Sequence, residues 1–348
     1  MARSAGRTRP VIKDVAKLAG VSAPTVSRYL NGTVNVTEDK RERIAKAIKE
    51  LGYEPSIVAR ALSNRAMDSV VGFAANPSAF STSETNHGVE AAARKRRFLL
   101  NIVSLDESDM DSVKARVRMG LSIRPAGVIV YEYDRAGIAA LEYIPKDMPM
   151  VVVGGSFGDG EYQVINAERD GGRWMTMHLL DLGHRTVFHV GRPEGPTDNT
   201  RTNGWRDALK ERGVTAPDPI IVPDDDLEES VKAGRTLGRR GDVTAIFAGN
   251  DETAIAVIRG LREVGRRVPA DVSVVGFDDR NFGAMWNPAL TSYTQNFLDM
   301  GERSFRMLFE QIQAKRAGDD APPSQVEVVQ GKPCLRASER AYGDGEIA

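Results

Sequence analysis

The chain has 348 residues, 41% hydrophobic and 27% charged, which is enough for a small domain plus a larger one and typical of a folded globular protein. A single cysteine, Cys334, excludes an internal disulfide framework and a multi-cysteine metal centre, and no apolar run reaches the length of a membrane span. The net charge of −1 conceals an asymmetry: residues 1–65 hold 13 basic and 6 acidic side chains, a net of +7, and the remainder hold 34 and 42, a net of −8. A basic head on an acidic body is what nucleic-acid binding by the head alone produces, and a cytoplasmic chain is expected.

Val11, Val15 and Leu18 recur at helical spacing and stop at Ala19-Gly20-Val21. Ser22 is suited to cap a second helix, Pro24 to sit in its first turn, and Val26 and Leu30 repeat at i, i+4 before Asn31-Gly32 ends it. Helix, Gly-bearing turn and capped second helix form a helix-turn-helix, whose second helix enters the DNA major groove. A third helix follows Thr37, with Ile44, Ala47, Ile48 and Leu51 as its apolar stripe and Gly52 as its stop. Pro55 then opens a short helix over Ser56–Ser63, too short to be stable alone in water. Ser63–Asp68 reads as a linker.

The body alternates. Val70–Ala75, Leu99–Val103, Ala126–Val130, Met150–Val153, Thr186–Val190, Ala245–Ala248 and Val272–Phe277 have strand length and β-branched content. Between them lie helical patterns at Glu84–Arg96, Arg169–Leu182, Arg201–Arg212, Leu227–Leu237 and Glu252–Val264, followed by Asp299–Ile312 and a last strand, Val326–Val329. Such alternation predicts parallel sheets covered by helices, in two layers divided near Ala167, with a ligand crevice beyond the strand ends. Asn250-Asp251 and Asp278-Asp279 follow strands, and Arg201 opens a helix after one. Each could serve only as a cap or loop partner; together they suit a polyhydroxylated ligand.

The head resembles the DNA-binding head of LacI/GalR-family transcriptional regulators. The resemblance is carried by Asp14-Val15-Ala16, Ala19-Gly20-Val21-Ser22, Thr25-Val26-Ser27-Arg28, Leu30-Asn31, Arg43-Ile44, Leu51-Gly52-Tyr53, Pro55 and Ala59 to Leu62. It implies DNA contacts from Ser22, Ala23, Pro24, Thr25, Ser27, Arg28, Asn31, Tyr53, Ala59 and Leu62. Ala23 and Pro24 would read bases by apolar contact or shape, Arg28 a guanine edge, and Leu62 would wedge into the minor groove. Ser56 stands where the family usually has Asn.

The body resembles the family's effector-binding core, similar to periplasmic sugar-binding proteins, through Val151–Gly154, His178-Leu179, Leu182-Gly183-His184-Arg185, Arg201 with Gly204-Trp205, Ala208-Leu209, Asn250-Asp251, Val272–Asp279 and Pro288 to Gln295. Effector contacts map onto Tyr131, Arg201, Asn250, Asp278 and Gln295, with Arg201 and Asp278 gripping hydroxyls from opposite sides. Tyr131, Phe157, Phe282 and Trp286 stack on a sugar ring or fill the lobe cores. Gly154-Gly155 and Ala167 depart from family positions that are often polar or acidic.

The expected organisation is therefore an all-α helix-turn-helix head (1–67, with the hinge helix at about 56–63) plus an α/β periplasmic-binding-protein-like core (68–348) of two lobes with parallel sheets. The first lobe takes about 68–167 and 295–323, the second about 168–294 and 324–342. The expected partners are palindromic operator DNA, a small-molecule effector expected to be a sugar or sugar derivative, and a second copy of the chain, with no membrane, metal or cofactor. Because the C-terminus lacks leucine heptads, a dimer is expected, not a coil-linked tetramer. An enzyme is disfavoured: Gly154-Gly155-Ser156-Phe157-Gly158 lacks dinucleotide spacing, and neither a P-loop nor a nucleophile elbow occurs. A corepressor-dependent or activating regulator with a non-sugar effector is the alternative, and a sugar-binding protein without regulatory role the more distant one.

Overall fold

Amphipathic stripes closed by left-handed glycines build the head. The structure, a computed structural model, describes residues 10–30, 36–53, 67–106, 108–155, 162–193, 197–223 and 226–343. The chain divides into two units, Met1–Asp68 and Ser69–Ala348. In the first, α1 (Ile12–Ala19), α2 (Ala23–Leu30) and α3 (Glu38–Leu51) bury one core of Val15, Ala16, Ala19, Val26, Ile44, Ala47 and Tyr53. Gly20 (φ 64°) and Gly52 (φ 60°) end α1 and α3 in the left-handed region, where a glycine meets no Cβ penalty. The Asp14 carboxylate accepts the Val11 amide (2.8 Å), and the Ser22 and Thr25 hydroxyls pair at 2.8 Å where α2 begins. Asn31 and the predicted Ser56–Ser63 helix, including Ala59 and Leu62, lie outside the described residues, as does Phe157.

The second unit holds two parallel sheets. The first contains β1 (Met67–Ala74), β2 (Leu99–Ser104), β3 (Pro125–Glu132), β4 (Met150–Gly154), β5 (Gln163–Asn166) and β11 (Val326–Val329), in the order β11-β5-β4-β3-β1-β2. Successive residues of a strand point to opposite faces, so Val70 and Ile129 pack under α4 (Phe80–Lys95) and α12 (Phe297–Ala317). Val71, Phe73, Val128 and Val130 pack under α5 (Met110–Ser122) and α6 (Arg135–Leu141). The second sheet is β7 (Ile220–Ile221), β6 (Phe188–Gly191), β8 (Ala245–Ala248) and β9 (Ser273–Val275), in that order. Ala245 and Phe247 face α7 (Glu168–Asp181) and α8 (Arg201–Glu211), whereas Ile246 faces α9 (Leu227–Gly238) and α10 (Asp251–Glu263). A short α11 (Asn281–Met285) and an antiparallel pair, β10 (Ser292–Thr294) with β12 (Lys332–Cys334), complete the unit.

One expected boundary is corrected. The sequence pattern places residues 324–342 whole in the second lobe, yet Val326–Val329 pairs in parallel with Gln163–Asn166 at the edge of the first sheet. The chain crosses between lobes after Asn166, after Thr294 and after Val329. A four-residue strand such as Val-Glu-Val-Val fits the edge of either sheet, and its partner is set by tertiary pairing that the sequence pattern does not contain.

Candidate effector site and DNA-reading face

On the head, the sequence-predicted DNA-contact positions of α2 split by exposure. Ser22, Pro24 and Arg28 are exposed, Ala23, Thr25 and Ser27 are half-buried, and Val26 is buried in the core. Tyr53 is corrected: only 7% exposed, it packs in the head core with its amide on the Ile48 carbonyl (3.0 Å), so it is a structural residue with little surface to offer DNA. Its sequence position, directly after the αL glycine that ends α3, is a common place for an apolar residue that folds back on the helix.

In the core, the crevice group is built where α7 and α8 begin. These helices cross so closely that a Cβ on Gly172 would lie 2.3 Å from the Arg201 carbonyl oxygen, and one on Gly204 would lie 2.0 Å from that of Arg169. Bare glycines at both crossing points bring the first residues of the two helices, Glu168 and Arg201, side by side. Thr200 caps α8 by accepting the Asn203 amide (3.1 Å), which fixes the start of the helix and the place of Arg201.

Arg201 is 8% exposed. Its Nε donates to Glu168 Oε2 and its Nη2 to Glu168 Oε1, both at 3.2 Å; Nη2 also reaches Asp278 Oδ1 at 3.0 Å, and Nη1 donates to the Gly249 carbonyl. The guanidinium lies 4.2 Å from the centroid of the Phe277 ring. Burial opposes its charge, but Asp278 and Glu168 more than offset that and hold its pKa above the ordinary arginine value. Asp278, with φ 95°, is held in the left-handed region at the exit of β9 and accepts Gln295 Nε2 at 2.7 Å. Gln295 Oε1 is buried with no hydrogen-bond partner among the described residues. Arg201 and Asp278 are thus direct partners, not opposed jaws, which corrects the expected grip from two sides.

Of the other expected contacts, Asn250 caps α10, its Oδ1 accepting the Thr253 amide at 2.8 Å, while its neighbour Gly249 serves Arg201. Tyr131 is corrected: it is 1% exposed within β3, and its hydroxyl donates to Asn86 Oδ1 at 2.6 Å. Phe282 lies under Arg280, 5.3 Å from ring centroid to guanidinium, and Trp286 lies on an outer surface with Leu227 and Ile255. A second tyrosine, Tyr133, lies just beyond the end of β3, packed against the first-lobe core with its hydroxyl directed at Met300 Sδ (3.8 Å). Burial raises its pKa, the Glu168 charge raises it further, Arg201 lowers it and Asp278 raises it, so all three charges act on this phenol.

Behind these groups sit two buried titratable residues. Asp251 accepts the Ser292 hydroxyl and the Arg280 amide, both at 2.6 Å, and burial lifts its pKa to about 7. His189 is held between the Phe247 carbonyl (2.9 Å to Nδ1) and the Thr202 hydroxyl (3.0 Å to Nε2), and burial lowers its pKa to about 4. Across the crevice, the Thr197 hydroxyl donates to the Gly155 carbonyl (3.0 Å), Asn199 Nδ2 donates to the Asn166 carbonyl (2.6 Å), and Arg280 lies 4.0 Å from the Phe80 ring centroid. Sequence reading missed Glu168 and Tyr133. No group of three or more His, Cys, Asp or Glu among the described residues is arranged to hold a metal ion.

Comparison with known proteins places both units. Residues 11–56 match the bacterial regulatory proteins of the lacI family, and residues 176–338 match the periplasmic binding protein-like domain. The HTH-type transcriptional repressor PurR of Proteus mirabilis is 34% identical over 322 residues, covering 90% of this chain and 93% of that protein. The HTH-type transcriptional regulator CelR of Thermobifida fusca is 33% identical over 323 residues, covering 88% and 93%. Among solved structures, the Lac repressor dimer bound to operator and the anti-inducer ONPF superposes with a TM-score of 0.80 at 25% identity, covering 96% of this chain and all of that one. A CelR–cellobiose complex superposes at 0.67 with 30% identity, covering 95% and 100%. The chain belongs to the LacI family of bacterial transcriptional regulators.

Proposed function

We propose that this DNA-binding transcriptional repressor responds to a carbohydrate held between the two lobes of its core. The observation that carries the reading is the Arg201–Asp278–Gln295 group, buried at the strand ends, with the Gln295 oxygen left to accept a donor. Hydroxyl groups of a sugar supply such donors, and Tyr133 offers an aromatic wall. The relative CelR is known as a cellobiose complex, which supports a sugar over other small molecules. Ser22, Ala23, Pro24, Thr25, Ser27 and Arg28 form the DNA-reading face, with Arg28 the residue for a guanine edge. Two copies on a palindrome are the operator complex, since one head covers only a half-site. Ligand binding shifts the lobes and lowers operator affinity; coupling of about 1–3 kcal/mol gives a useful switch and acts equally in both directions.

Fluorescence anisotropy on a DNA fragment from the protein's own promoter tests this. The expected result is tight, salt-sensitive binding that weakens in Arg28→Ala and is released by one member of a sugar panel. Binding that a sugar strengthens reverses the sign of the switch and makes the ligand a corepressor. Binding that no sugar alters removes the carbohydrate assignment while leaving the regulator.

A further inference from the structure

We infer that Glu168 makes the effector site selective against anions, so that the ligand is an uncharged or cationic hydrogen-bond donor and not a phosphate or carboxylate. The inference rests on the effector site being the crevice group described above. A guanidinium has five N–H donors, and four of those of Arg201 are committed to Glu168, Asp278 and the Gly249 carbonyl. One arginine between two carboxylates leaves the group net negative, and the burial of Arg201 and Asp278 removes much of the water that would screen it. An anion entering here must either approach two carboxylates or pull Arg201 away and leave the buried Asp278 without a cation, which is costly. The acceptors on offer are Gln295 Oε1, buried and without a partner among the described residues, and the partly exposed Glu168 carboxylate. The Tyr133 hydroxyl is directed at Met300 Sδ (3.8 Å), and a phenol, neutral with its proton and anionic without it, adds no positive charge to attract an anion. Glu168 is the deciding residue: with only Asp278 present the pair would be neutral, and its remaining arginine donors free to take an anion.

The test uses the full chain with inorganic phosphate as the probe, titrated by calorimetry at constant ionic strength, alongside Glu168→Gln, Glu168→Ala and the double variant Glu168→Gln/Arg201→Ala. The expected result is that the unaltered chain shows no phosphate binding dependent on Arg201. Glu168→Gln then gains it by about tenfold or more, as removing one charge a few ångströms from the site predicts, and the double variant loses it. Glu168→Ala repeats the result should Gln rebuild the arginine contact, and each melting curve reports folding. Arg201-dependent phosphate binding by the unaltered chain, or no gain in either Glu168 variant, overturns the proposal. In parallel, neutral sugars and their 6-phosphates are assayed for operator release. Release by the phosphorylated sugars alone also overturns it. No release by any sugar, with the phosphate gain intact, removes the carbohydrate reading and leaves the charge gate standing.

Discussion

The two lobes of the core face the crevice with different chemistry. The second lobe carries the ionic group, with Arg201, Glu168 and Asp278 locked together and Asp251 and His189 buried behind them. The first lobe presents aromatic and backbone groups: Tyr133, Phe80 under Arg280, and the Gly155 carbonyl under Thr197. One lobe is preorganised by charge, at a desolvation cost borne by folding; the other meets it through contacts that cost little to break. Under the proposed effector site, ligand identity would be read mainly by the second lobe and closure registered by the first.

The largest effect comes from breaking the charged side. Arg201→Ala strands the buried Asp278 carboxylate and the partly exposed Glu168 beside it, and destabilisation of the core by about 3–5 kcal/mol is expected in urea unfolding, with loss of the ligand response. A stable Arg201→Ala core that still responds to ligand would mean that the ionic group is scaffolding and that recognition lies with the aromatic lobe. Next comes a contrast between units. Ile44 is fully buried in the small head core, so Ile44→Ala costs about 2–5 kcal/mol there, enough to abolish operator binding, while ligand binding by the core persists. Loss of both functions would contradict the division at residue 68.

Buried titration sharpens the view of the second lobe. The folded pKa of Asp251, about 7, lies above its ordinary 3.8, so its contribution is full below about pH 4 and lost as pH rises to 7. His189 has the opposite sign: its pKa falls from 6.5 to about 4, so its contribution is present above 6.5 and lost as pH falls toward 4. The two slopes oppose each other, each up to about 1.4 kcal/mol per pH unit. Asp251→Asn is expected to unmask the histidine, giving a core that weakens on acidification below about pH 6.5 more steeply than the unaltered chain. Urea midpoints across that range check it; parallel profiles would show that Asp251 is not the opposing group.

Legibility in the sequence followed the same division between local and non-local causes. The head could be read because each helix is amphipathic and stops at a glycine with an αL role, all within neighbouring residues. The long strands were read because buried parallel strands are continuous β-branched runs. Gln163–Asn166, Ile220–Ile221, Ser292–Thr294 and Lys332–Cys334 were missed: each is four residues or fewer and exists through partners far away in the chain. Glu168 was missed because a glutamate in a first helical turn reads as a partner of the helix dipole, and only the close crossing at Gly172 and Gly204 turns it toward Arg201. Tyr131 and Tyr133 are two residues apart and share a face, so alternation alone could not choose between them. The strand ends at Glu132, which leaves the first inside the sheet and the second beyond it.

The smallest expected effect separates a cap from a contact. Asn250 Oδ1 is used by the Thr253 amide, and Ser caps a helix about as well as Asn. Asn250→Ala should therefore cost about 1 kcal/mol of core stability through the lost cap, whatever the residue does for the ligand. Asn250→Ser keeps a cap acceptor and removes the amide donor without burying a charge, so its stability should stay closer to that of the unaltered chain than Asn250→Ala does. If the amide nitrogen donates to the effector, ligand-dependent operator release falls in Asn250→Ser by more than its unfolding does. If release is normal in Asn250→Ser and altered only as far as stability is in Asn250→Ala, Asn250 belongs to the scaffold. The charged recognition of the second lobe then narrows to Arg201, Asp278, Gln295 and Glu168.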